Sequence, residues 1–280
     1  MKKLLSLLIL IVSNCSFSQQ VPDTIYNPKI NHPMYADGEG PTVFIDEGHH
    51  NFHTKEGRYR AFSNLLERDG YQLKAYKGKF TTHALSEGKI LVISNALHES
   101  NVNDWALPNP SAFSKTEIEI VKNWVYSGGN LFLIADHMPM SGAAADLAME
   151  FGFEFTNGFA FDTIKRGPDY FNLKEGTLHK SIITKGRDAT ESVEQIATFT
   201  GQAFKIPKDA HSILTFTKNY VNMLPETAWV FNATTTRYTV EGWSQGAYKK
   251  YGKGRIVVFG EAAMFSAQLA GEEKVKMGMN

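Results

Sequence analysis

Between residues 42 and 152, short apolar runs alternate with amphipathic stretches, and this alternation restricts the fold more than any other feature of the chain. Residues 42–45, 71–75, 90–93 and 131–135 read as strands. Most of them are continuously apolar, which suits strands buried on both faces. Tyr59, Phe62, Leu65 and Leu66 recur at helical spacing ahead of Gly70. Ser114 and Glu117 form a capping box before Ile118, Val121, Trp124 and Val125, and residues 141–151 supply a further helix. Alternation of this kind predicts an α/β fold of three layers around a mostly parallel central sheet.

The pattern changes after Phe153. Residues 198–204, 212–217, 228–231, 246–250 and 255–260 read as short strands with few helices between them. They are expected to extend the same sheet, partly antiparallel, within a single domain over residues 41–280. Residues 261–269 read as a short helix. No apolar amphipathic segment follows it, so the sheet is expected to lack a covering helix, through truncation at the C-terminus or because the edge is covered otherwise.

Lys2 and Lys3, the apolar run 4–12 and the small residues Ser16 and Ser18 have the layout of a secretory signal peptide. The reading is a signal over residues 1–18, an extended lead-in over 19–40, and a secreted or periplasmic protein. The alternative is a lipoprotein anchored at Cys15, the only cysteine. With the signal removed, no disulfide, thiolate ligand or cysteine nucleophile remains. No segment of the mature chain is long and apolar enough to span a membrane. Lys+Arg and Asp+Glu are 29 each, which argues against nucleic acid as a partner.

Ligands of open α/β sheets bind beyond the carboxyl ends of the strands. Here those ends are polar. The first runs into Asp46, Glu47, His49, His50, Asn51 and His53, the third into Asn95, the fourth into Asp136 and His137, and the last into Glu261. Glu47, Asp136 and His137 are the candidate catalytic residues. Asn51, Asn95 and Glu261 are candidates for contacting substrate. His49, His50 and His53 are candidate ligands for a divalent metal such as zinc, because imidazoles beside a carboxylate suit such ions. The same set suits acid–base work without a metal, or a purely structural polar loop. Residues 242–246 match the G-x-S-x-G nucleophile pattern. That motif needs a helix after it and a histidine later in the chain, and Ser244 has neither.

Four segments, residues 44–53, 128–137, 199–204 and 254–265, resemble the uncharacterised secreted members of the class I glutamine amidotransferase-like superfamily. The resemblance implies a flavodoxin-like fold. It does not supply the activity, because the matching turn, Asp136-His137, has no cysteine. The expectation is a hydrolase-like enzyme, metal-assisted in one form, acting on a small polar or sugar-derived substrate. The rival is a non-catalytic domain that binds a small-molecule or carbohydrate-derived ligand.

Overall fold

The computed structural model describes residues 22–26 and 29–269. The signal-peptide reading, Cys15 included, lies outside the described residues. Strands β1 (Thr42–Asp46), β2 (Gln72–Tyr76), β3 (Ile90–Ser94) and β4 (Asn130–Ile134) are interleaved with helices α1 (Arg60–Arg68), α2 (Thr82–Ser86) and α3 (Lys115–Tyr126). Helix α4 (Met140–Met149) follows β4. Next come β5 (Glu154–Phe155), β6 (Phe159–Asp162), β7 (Asp169–Asn172), β8 (Gln195–Thr198) and β9 (Phe204–Lys205). The last strands are β10 (His211–Thr215), β11 (Tyr220–Leu224), β12 (Thr236–Thr239), β13 (Ser244–Tyr251) and β14 (Gly254–Phe259).

The central sheet runs β2-β1-β3-β4-β14-β13-β9-β5, with β10 also on β13. The first five of these strands are parallel, and β14 pairs with β4 in the place of a fifth flavodoxin-like strand. Side chains alternate between two cores, as the pleat requires. Leu91, Ile93, Leu131, Leu133, Ile256 and Val258 pack with Ile118, Val121 and Val125 of α3 and Leu147 of α4. Val43, Ile45, Val92, Ile134 and Phe259 enter the opposite core.

That opposite face is where the structure departs from expectation. Only part of the chain after Phe153 joins the central sheet. Strands β6, β11 and β12 form a separate three-stranded sheet, and β7 pairs with β8. Ala160, Phe171 and Tyr220 from these strands share the second core with Phe62 and Leu66 of α1. Strands thus share the covering of this face with α1. The strand expected over 198–204 is broken because Thr200 and Gly201 are left-handed, at φ of 68° and 85°. Residues 228–231 form a turn, with Trp229 at φ 68°. The helix expected over 261–269 shrinks to the single turn Ala263–Phe265. Ser244 opens β13, buried, and its hydroxyl is 2.9 Å from that of Ser212. Among the described residues no helix is long and apolar enough to cross a membrane.

The small sheets are tied by Tyr220 of β11, whose hydroxyl donates to Asp169 of β7 at 2.7 Å. Burial pushes the Asp169 carboxyl up to about 6. A raised carboxyl stabilises the fold fully below its unfolded value, and that contribution is lost as pH rises through the folded value. Asp169→Asn keeps the acceptor and removes the charge. Urea unfolding is expected to show this variant gaining on wild type by roughly 2.4 kcal/mol between pH 4 and pH 8. A gap that does not change with pH contradicts the assignment.

Candidate functional site

The loop after β1 is organised by Asp46. Its fully buried carboxylate accepts from Gly48 N at 3.1 Å, His49 Nδ1 at 2.9 Å and Asn51 Nδ2 at 3.0 Å. His49 Nε2 then meets Glu117 Oε1 of α3 at 3.0 Å. Glu117 also accepts from Phe80 N at 3.0 Å and from the Ser114 hydroxyl at 2.6 Å. Both nitrogens of His49 therefore face carboxylates, and both must donate. Burial alone would lower the His49 pKa, but Asp46 and Glu117 outweigh it and raise it above the ordinary value. Burial would raise Glu117, but the Ser114 hydroxyl and His49 hold it below its ordinary range.

The loop crosses the edge of the sheet and sends its histidines to different places. His49 packs on Phe80 and Phe113, on the face covered by α2 and α3. His53 lies on the opposite side, its ring 4.3 Å from Tyr59 and its Nδ1 3.1 Å from the Ser94 hydroxyl. Burial, helped by the charge of Arg58, drives its pKa well below the ordinary value. His50 is exposed, at φ 47°. The expected metal ligands His49, His50 and His53 therefore do not converge. Among the described residues no three His, Cys, Asp or Glu side chains are grouped to hold a metal ion. The residues do not fit a zinc site, and that expectation is corrected. Glu47 caps the turn that begins at Lys55, accepting Lys55 N at 2.9 Å. Asn51 is spent on Asp46, on the Ser94 carbonyl and on His49 N, so its amide serves the loop.

The remaining candidates do assemble. Asn95, left-handed at φ 49°, accepts Asp136 N on Oδ1 at 2.8 Å and Phe52 N on its carbonyl at 2.9 Å. It thereby joins the β1 loop to the end of β4. Glu261, fully buried beyond the neighbouring strand β14, accepts Ala263 N at 2.7 Å and Met264 N at 2.9 Å. Burial pushes both carboxyls up, Glu261 furthest because the charge of Asp136 adds to the effect. Tyr59 donates to the Ala262 carbonyl at 3.1 Å. Burial, with the charges of Glu261 and Asp136, raises its hydroxyl well above its usual range.

His137 is walled by aromatic rings. It stacks on Phe159 at 4.2 Å, meets Trp229 edge-on at 4.7 Å and lies 6.3 Å from Trp105. Trp229 is 46% exposed. His137 Nδ1 donates to the Met138 carbonyl at 2.7 Å, which in the neutral ring leaves Nε2 as the acceptor. That nitrogen is 3.9 Å from Asp136 Oδ1. Sequence reasoning did not find Tyr59, Ser94, Trp105, Glu117, Phe159 or Trp229. Glu117 carried only a capping signal, and the two tryptophans sit in loops without periodicity.

No family model matches the sequence, and no curated protein matches it. Similar solved structures do exist. The mmIFT52 N-terminal domain aligns with a TM-score of 0.57 at 15% identity, over 84% of this chain and 93% of that one. A ThuA-like protein from Bacteroides uniformis aligns with a TM-score of 0.45 at 13% identity, over 84% of each chain. A GMP synthase-like protein from Thermoplasma acidophilum gives 0.42 at 12% identity, over 80% of this chain and 84% of that one. At such identities the likeness is one of fold.

Replacing His49 by Gln would leave a buried carboxylate without its cation. Removing one partner of a buried pair typically costs about 3–5 kcal/mol. Urea denaturation of His49→Gln is expected to show a loss of that size, while a chelator leaves wild-type stability unchanged. A loss below about 1 kcal/mol, the range of an ordinary surface change, contradicts the clamp.

Proposed function

We propose that the chain is an exported, hydrolase-like enzyme of the glutamine amidotransferase-like superfamily, acting on a small polar or sugar-derived substrate without the cysteine route. The observation that carries this reading is the bond from His137 Nδ1 to the Met138 carbonyl, which leaves Nε2 aimed as an acceptor beside Asp136. A water held by Nε2 would give up a proton to it while its oxygen attacks the electrophilic carbon. Asp136, held above the usual carboxylate range by burial, would protonate the departing group. Exposed Trp229, with Trp105, would supply a flat apolar wall for the substrate. No metal takes part in this reading.

A second reading, a domain that binds its ligand without turning it over, is favoured by one observation. Glu261 spends both carboxylate oxygens on backbone N–H groups and Asp136 accepts His137 N at 2.8 Å, so the carboxylates beside His137 also serve the backbone. A hydrolase screen with matched variants separates the two. Under the enzyme reading, His137→Ala lowers kcat by about 10²–10⁴-fold with folding intact, the usual worth of a positioned base. Trp229→Ala raises KM more than it lowers kcat. If no substrate turns over, and Trp229→Ala weakens ligand binding while His137→Ala does not, the binding domain is the better description. Export is tested by intact mass: mature protein is expected to begin at Gln19. A lipid on Cys15 would place it on a membrane surface instead.

A further inference from the structure

At one end of the aromatic row stands a cation without a counter-ion. The Arg58 guanidinium lies over the Phe52 ring, 3.8 Å from its centroid, and Nη1 donates to the Phe52 carbonyl at 3.0 Å. Nε is buried and has no acceptor. Among the described residues no carboxylate pairs with Arg58, although its sequence neighbours are paired. Lys55 reaches Glu56 and Glu67, and Arg60 reaches Glu56. Burial lowers the Arg58 pKa from its ordinary value, as expected of a charge partly removed from water and not repaid by an anion. A half-buried guanidinium that keeps an orphan Nε donor and no anionic partner is open to an anion from outside the chain.

The surroundings point to that use. Phe52 leads edge-on to Trp105 at 5.9 Å, and Trp105 leads to His137 at 6.3 Å. The row lies on the carboxyl edge of the sheet, beside the β1/β3 junction where strand order reverses, the position at which open α/β sheets take ligands. We propose that Arg58 anchors an oxyanion, a carboxylate or a phosphoryl group, on a ligand whose body extends along Phe52 and Trp105 toward His137. A guanidinium presents parallel N–H groups along one edge, which two oxygens of such a group accept together. The aromatic faces take the uncharged part of the ligand. This narrows the substrate to an anionic one. It rests on the proposed function only for the direction of the ligand's body, and the anion anchor stands without it.

The full mature chain is titrated separately with inorganic phosphate and with acetate, ionic strength held constant with NaCl. The Arg58 Nε–Hε signal is followed by ¹⁵N NMR, and Tm is measured in parallel. At least one anion is expected to shift that signal saturably and to raise Tm, and the tighter of the two identifies the phosphoryl or the carboxylate source. Arg58→Met is expected to abolish the Tm response, and Arg58→Lys to weaken it about 10-fold, because the ammonium keeps the charge but loses the fork. His137→Ala should leave the anion affinity unchanged, so failure of the catalytic reading and failure of the anchor are told apart. Should Arg58→Met not fold, the wild-type NMR titration decides. No saturable shift with either anion, or a Tm response in Arg58→Met equal to wild type, overturns the proposal.

Discussion

A buried imidazole held between two carboxylates organises the carboxyl edge of this sheet. Asp46 ends β1, Glu117 begins its work as a helix cap on α3, and His49 joins them through both ring nitrogens. The chain between Asp46 and His53 therefore has little freedom. The clamp is also bounded in pH on both sides. His49 is raised, so its contribution is complete below about 6.5 and is lost as pH rises through its folded value. Glu117 is lowered, so its contribution is present above about 4.3 and is lost as pH falls through its folded value. His53, driven down by burial, has the sign opposite to His49, and its contribution is lost as pH falls.

Once the loop is fixed, chemistry is left to the strand ends beside it. Asn95 carries the connection, accepting from Phe52 on one side and from Asp136 on the other. Asp136 and Glu261 follow adjacent parallel strands and share a buried environment that disfavours charge on both. Two of the three rings around His137 come from outside the parallel half, Trp105 being in the connection from β3 to α3. Phe159 is on β6, and Trp229 is in the loop between β11 and β12. The small sheets thus do two things: they share with α1 the covering of the second face of the central sheet, and they deliver two of the rings that line the candidate site.

The parallel half of the fold was legible in the sequence because its strands are apolar runs separated by capped helices. Residues 90–93 and 131–135 declare themselves, and Ser114 with Glu117 marks the start of α3 correctly. The small sheets were not, because β6, β7 and β12 are four residues each and mix polar with aromatic side chains. Left-handed residues interrupt two segments whose composition favours strand: Gly201 beside Thr200 marks the first break, but Trp229 is not a glycine that would have announced the second. The histidine cluster misled for a different reason. Spacing along a loop says nothing about which face of the sheet each side chain reaches, and His49 and His53 go to opposite cores. Topology, by contrast, correctly brings Asn95, Asp136 and Glu261 to one edge.

The division of labour between the histidines, one structural and one chemical, is tested most directly by long-range ¹H–¹⁵N NMR of the imidazole rings at pH 7. His49 is expected to carry protons on both nitrogens, each bonded to a carboxylate, and the neutral form of His137 to carry its proton on Nδ1. A singly protonated His49, or a neutral His137 with its proton on Nε2, would contradict the account.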